Sequence, residues 1–135
     1  MLYLPDTNVW INHLNTAPSI VKNKISAYPP SQIVLCDVVK AELYYGAYKS
    51  ARQEENLTLL ETLFSEFTSF AFDGEAAQIF GGIRAALARK GTPIGPYDLQ
   101  IAAIALANDC ILVTHNTGEF SRIAGLKLED WETEK

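Results

Sequence analysis

Short apolar runs, each followed by helical spacing, constrain this chain more than any other feature. Leu2-Tyr3-Leu4-Pro5 runs straight into Asp6-Thr7-Asn8, and helical spacing begins at once with Val9 and Trp10. Ile33 to Cys36 is a second such run, Ser69 to Phe72 a third and Cys110 to Thr114 a fourth; Leu126 to Trp131 reads as a short last strand. A strand covered on both faces reads as a continuous apolar stretch and not as an alternation. Strands separated by helices imply an α/β fold, a parallel sheet covered on both sides. Asp6 then stands where a strand ends and a helix begins, and in open sheets of this kind the carboxyl ends of strands line the ligand crevice.

Helical spacing predicts segments from Asp6 to about Leu14, Ser19 to Ala27, Val38 to about Ser50, Arg52 to Phe67 and Asp73 to Lys90. Asn15-Thr16-Ala17-Pro18 and Pro29-Pro30-Ser31 stop the first two. Asp37 reads as the cap of the third, and Gly91 as the C-terminal stop of the last. Thr92 to Tyr97, with Pro93 and Pro96, reads as loop without helix. Asp98 then opens the most apolar helix, Leu99 to Asn108, and His115 to Arg122 reads as a loop with a turn of helix.

A chain of 135 residues makes one domain, 1–135, and an apolar content of 48% supports a sizeable core. No run of about eighteen apolar residues is present, so no membrane span is expected. The first residues lack a basic segment followed by an apolar one, so no signal peptide is expected and the reading is cytoplasmic. Cys36 and Cys110 sit in separate apolar runs and read as reduced core residues, not a disulfide or metal pair. A net charge of −5 argues against a protein that coats nucleic acid non-specifically, yet is compatible with an acidic site that needs cations.

Four acids fall at comparable places. Asp6 follows the first strand, Glu42 lies early in the helix after the second, Asp98 starts the apolar helix before the fourth, and Glu119 follows the fourth. Parallel strands would bring all four to one crevice. Carboxylates so placed repel, and some take up protons unless a cation is present. Hard divalent ions such as Mg²⁺ or Mn²⁺ prefer oxygen donors, whereas a set without cysteine or paired histidine disfavours zinc. Such an ion activates water and stabilises charge on a phosphoryl oxygen, which is the chemistry of phosphodiester hydrolysis.

The ordered set of Leu4-Pro5-Asp6-Thr7-Asn8, Val39-Lys40-Ala41-Glu42-Leu43, Ile94-Gly95-Pro96-Tyr97-Asp98-Leu99-Gln100-Ile101-Ala102-Ala103 and Leu112-Val113-Thr114-His115-Asn116-Thr117-Gly118-Glu119-Phe120 resembles PIN-domain ribonucleases, specifically VapC-type toxins of bacterial toxin–antitoxin systems. The match runs on to Glu129-Asp130-Trp131 and covers nearly the whole chain. The resemblance implies a three-layer α/β/α sandwich, with Asp6, Glu42 and Asp98 as acidic metal-site residues. Many PIN domains carry a further aspartate just after the last core strand. Here Asn116 stands in that place, and the resemblance gives the fourth acidic role to Glu119. It also implies a structured RNA substrate, most often transfer RNA, translation arrest, a VapB-like antitoxin and a homodimer.

Each residue also has a plainer role. Asp6 and Asp98 serve as helix caps if nothing else. Thr7 and Asn8 either cap or hydrogen-bond a ligated carboxylate, and Thr114 and Asn116 support the site. Glu42 alone would be a solvated helix residue. His13 and His115 read as surface residues, Trp10 and Trp131 as packing groups. Arg84, Arg89 and Lys90 read as a solvated face, with RNA phosphate contact as the alternative. Tyr44 and Tyr48, one turn apart, would line an apolar groove beside Glu42, formed with the Leu57, Leu60, Leu63, Phe64 and Phe67 stripe of the next helix. The competing function is a catalytically silent binding module on the same fold. A small-molecule phosphatase lacks a glycine-rich phosphate loop here.

Overall fold

Two-sided burial decides where the strands lie. The computed structural model describes residues 1–15 and 17–133; Thr16, placed in the first helix break, lies outside them. Strands β1 (Leu2–Pro5), β2 (Val34–Cys36) and β4 (Cys110–Val113) carry the fully buried Leu4, Leu35, Leu112 and Val113. Strands β3 (Thr68–Phe70) and β5 (Lys127–Glu129) lie at the edges and expose Thr68 and Lys127. A lysine on an edge strand blunts its open hydrogen-bonding rim.

Every pairing is parallel. β1 pairs with β4, β4 with β5, and β2 with β3, while β1 and β2 meet through one bridge between Tyr3 and Ile33. The strand order is therefore 3-2-1-4-5. The chain builds outward from β1 through β2 to β3, then returns to the other side of β1. Right-handed crossovers put α1 (Thr7–Leu14), α2 (Ile20–Ala27), α3 (Asp37–Lys49) and α4 (Gln53–Ser65) on one face. They put α5 (Gly74–Lys90), α6 (Pro96–Ala107) and α7 (Thr117–Phe120) on the other. The packing agrees: α1 contacts α2 and α3, α3 contacts α4, and α6 contacts both α5 and β4. This is the expected α/β arrangement of helices about a central parallel sheet.

α6 is the buried helix that its apolar sequence implies. Ile101, Ala102, Ala103, Ile104 and Ala105 are all fully inaccessible, since the helix is covered by the sheet on one side and α5 on the other. Its start corrects the loop expected through Tyr97. Pro96 occupies the first helical turn, where a missing N–H costs nothing and a fixed φ is already helical. Asp98 is thereby a residue of the first turn, and Gly95, not Asp98, is the cap. Asp37 is likewise the first residue of α3 and not its cap. β3 begins one residue earlier than expected and ends two earlier. Asp73 does cap α5, accepting from the Ala76 N–H at 3.0 Å, and Gly91 ends it at φ 71.

Candidate active site

The chain reverses its direction of building at β1, so the crevice between β1 and β4 is the topological switch point. Asp6 sits at its mouth. Its N–H donates to Val113 O at 2.9 Å, extending the strand pairing by one residue. Its Oδ1 then accepts from the Val9 N–H at 3.0 Å and caps α1. Capping and a second role are thus compatible. Asp6 is only 7% exposed, and burial pushes its carboxyl above the ordinary range. The Thr114 hydroxyl and the Val9 amide pull it back, while Glu132 and Glu42 push it further up.

Asp98 faces the same space from the first turn of α6. Burial, then the charges of Glu119, Asp6 and Glu42, push it from 3.8 to about 6. The group thus senses each of the other three acids. Glu42 reaches in from α3, where its Oε1 accepts from the Thr7 hydroxyl at 2.6 Å. Glu119, on α7, accepts from Asn116 Nδ2 at 3.3 Å. The Asn116 N–H donates to the hydroxyl of fully buried Thr114 at 3.0 Å, which ties this loop to the strand end behind Asp6.

Asp6, Thr7, Asn8, Glu42 and Asp98 line one cleft of about 860 Å³. Glu119 does not line it; it stands beside Asp98 and acts on that group's charge. The cleft wall also holds Gln100, Tyr45, Tyr97 and Asp37, to which the sequence assigned no site role, and Glu132, whose charge reaches Asp6, was not singled out. The adjacency of Tyr97 to Asp98 was a usable signal. Glu132 lies in an unpatterned C-terminal stretch and carried none.

Among the described residues, no three His, Cys, Asp or Glu side chains are gathered closely enough to ligate one ion as they stand. Glu42 and Glu119 are each held by a neighbouring side chain. The donor set nevertheless fits a hard divalent cation. It offers carboxylate oxygens, and burial together with the neighbouring acids disfavours the ionised form of Asp98, a cost that added positive charge would offset.

Several flanking expectations resolve. Trp10 and Trp131 are buried packing groups. His13 is not on the surface: it is half-buried, edge-on to Trp10 at 5.9 Å, and burial lowers its pKa. His115 is exposed, with Nδ1 3.1 Å from Asp130 Oδ2. An apolar groove of about 340 Å³ does lie beside Glu42, between α1, α3 and α4. Leu14, Leu43, Ala47, Leu59 and Leu60 wall it, not the expected tyrosines. Tyr44 packs edge-on against Phe64 at 5.3 Å, and Tyr48 points away into solvent at 59% exposure.

A parallel α/β domain with acidic side chains lining a cleft at its switch point is a framework compatible with a nuclease. The PIN domain family profile matches residues 3–126. The tRNA(fMet)-specific endonuclease VapC of Salmonella typhimurium is 39% identical over 129 residues, covering 96% of this chain and 97% of the relative. Ribonuclease VapC2 of Rickettsia felis is 35% identical, covering 98% and 99%. In structure, the chain is similar to VapC-family complexes: DNA-bound VapBC from Salmonella typhimurium has a TM-score of 0.90 at 39% identity over 97% of this chain and 99% of that one. VapBC-1 from nontypeable Haemophilus influenzae has a TM-score of 0.88 at 32% identity over 98% and 100%. The chain belongs to the PIN-domain family, among its VapC-type ribonucleases.

Proposed function

We propose that this chain, acting as one domain, is a Mg²⁺- or Mn²⁺-dependent endoribonuclease toxin that cuts structured RNA, transfer RNA foremost, and so arrests translation. The observation that carries the reading is the convergence of Asp6, Glu42 and Asp98 on one strand-end cleft, with Glu119 beside Asp98. Among the described residues, carboxylates converging on one strand-end crevice without a basic partner suit a cation site better than a structural one. Asp6, Glu42, Asp98 and Glu119 would hold the ion. Bound there, it supplies charge stabilisation at the phosphoryl oxygen and acidifies water for the attack.

The chain's own groups set the stage. The Thr7 hydroxyl fixes the rotamer of Glu42, and Thr114 supports Asp6 from the β4 side. Asn116 orients Glu119, and exposed Asn8 offers an amide at the cleft rim. The tRNA(fMet)-specific relative supports transfer RNA as the substrate class. Relatives solved as VapBC complexes support a VapB-like antitoxin as partner. Its place would be the apolar groove between α1, α3 and α4, from which an antitoxin arginine would reach the carboxylates bidentately. A homodimer follows from the same family reading. Among the described residues no helix is long and apolar enough to cross a membrane. The free, buried cysteines Cys36 and Cys110 suit a reducing cytoplasm.

The test is incubation of the purified chain with total RNA in Mg²⁺ or in chelator. Discrete cleavage in Mg²⁺, absent in EDTA and in Asp98→Asn, is expected. Undiminished cleavage in excess EDTA, or no cleavage of any RNA by the folded protein, would overturn the proposal.

A further inference from the structure

Two side chains at the rim of the cleft are not explained by the acids. Tyr45 and Tyr97 are 67% and 60% exposed, and both line the cleft. Tyr45 lies on α3 one turn beyond Glu42, and Tyr97 immediately precedes Asp98 on α6. Tyr3, Tyr28 and Tyr44 each pack on another aromatic ring; among the described residues Tyr45 and Tyr97 do not. So exposed, neither contributes to the core. Lys49 Nζ lies 5.3 Å from the centre of the Tyr45 ring.

The electrostatics say what such rings are for. The cleft is acidic and the chain carries −5 overall, so both repel a polyphosphate. Even with a cation among the acids, the chain's net charge of −5 gives a polyphosphate little general attraction, so an effective source of affinity lies in groups that ignore phosphate charge. Aromatic stacking does so, because every base has a π-face. A cleft of about 860 Å³ has room for more than a phosphate group. We propose that Tyr45 and Tyr97 stack on the bases of nucleotides flanking the phosphate that the carboxylates face, holding a splayed single-stranded loop in place. Lys49 offers its ammonium to a neighbouring phosphate from beside Tyr45. This inference rests on the ribonuclease reading above, and adds to it how the substrate is gripped.

The test uses the full chain and an RNA hairpin carrying 2-aminopurine in its single-stranded loop. The variants are Tyr45→Ala, Tyr97→Ala and the corresponding Phe changes, with Tyr48→Ala as a control. Tyr48 is equally exposed on the same helix but lies outside the cleft. Surface changes of this kind leave the fold intact. Each cleft alanine should raise KM about tenfold with kcat nearly unchanged. Phenylalanine should retain wild-type KM, and Tyr48→Ala should have no effect. With Ca²⁺ replacing Mg²⁺, wild-type binding should quench 2-aminopurine by stacking, and the alanine variants should lose that quench. The ratio of variant to wild-type KM should not change with salt, since stacking releases no counterions.

Normal KM and normal quenching in both alanine variants would overturn the inference. So would an absent quench in wild type, or phenylalanine variants as impaired as the alanines. If wild type quenches through both tyrosines yet cuts no RNA, stacking stands and the ribonuclease reading fails. If wild type cuts and the alanine variants bind normally, stacking fails alone.

Discussion

Replacing Asp98 by Asn should stabilise the metal-free protein while abolishing cleavage. In the folded state its carboxyl is pushed from 3.8 to about 6, by burial first and then by Glu119, Asp6 and Glu42. A displacement of that size corresponds to about 3 kcal/mol of penalty on the ionised form. Asp98 is only half-buried, so solvent screening reduces this to about 1.5 kcal/mol. The first turn of α6 favours a negative charge by roughly 0.5 kcal/mol, which Asn forfeits. The expected gain is therefore about 1 kcal/mol, or roughly 3–5 °C in Tm for a domain of this size.

Its pH dependence separates this cause from any other. A folded-state pKa above the unfolded one means the native state binds the extra proton between the two values. The wild type is thus unpenalised below about pH 4, loses stability as pH rises through about 6, and is level above that. The advantage of Asp98→Asn should be present at pH 7.5 and gone at pH 4, in thermal unfolding with EDTA. Added Mg²⁺ should raise the Tm of wild type and leave the variant's largely unmoved. An advantage independent of pH, or a variant less stable at pH 7.5, would refute the argument that burial and the neighbouring acids penalise ionised Asp98.

Four further outcomes follow from the same geometry. Thr7→Val removes the 2.6 Å bond that holds Glu42, and should lower kcat about tenfold and weaken Mg²⁺ binding in a titration, with the far-UV spectrum unchanged. Cleavage at subsaturating Mg²⁺ should fall as pH drops through about 6, and excess Mg²⁺ should move that fall to lower pH; a profile indifferent to Mg²⁺ would count against carboxylate ligation. Leu59→Asp puts a charge into the apolar groove and should reduce antitoxin co-purification with RNA cleavage intact, whereas Tyr48→Asp, outside the groove, should change neither. Intact transfer RNA should be cut faster than an unstructured oligonucleotide with the same loop sequence, and equal rates would remove the case for shape recognition.

What the sequence made legible was whatever topology alone decides. Once the apolar runs are taken as parallel strands, Asp6, Glu42 and Asp98 have to approach one strand-end crevice, and the cleft contains all three. Local details followed different rules. Pro96 reads as a breaker by composition, but a proline in the first turn of a helix breaks nothing, so α6 starts two residues before Asp98. Tyr44 and Tyr48 share a helix side by spacing, yet Phe64 captures only the first and leaves the second in solvent. Periodicity gives a face and does not say which neighbour fills it. Glu119 was legible as an acid after β4, but whether it lines the cleft depends on the one-turn helix α7 and on Asn116, and no periodic signal reports either.

Several departures from good folding practice lie together at the cleft. Buried Asp6 carries a raised carboxyl, and Asp98 is pushed to about 6 by burial and by its acidic neighbours. Tyr45 and Tyr97 expose aromatic surface within a turn of Glu42 and Asp98. Elsewhere the usual devices hold the fold: α6 is apolar on all sides because it is covered on all sides, Asp73 caps α5, and Gly91 ends it in the left-handed region. A concentration of such features at one switch point suits a role that the folded apo chain does not itself need. Charge repulsion at the acids and apolar exposure at the tyrosines have complementary remedies, a cation for the first and a stacked base for the second. An RNA strand bound together with a divalent cation would provide both at once.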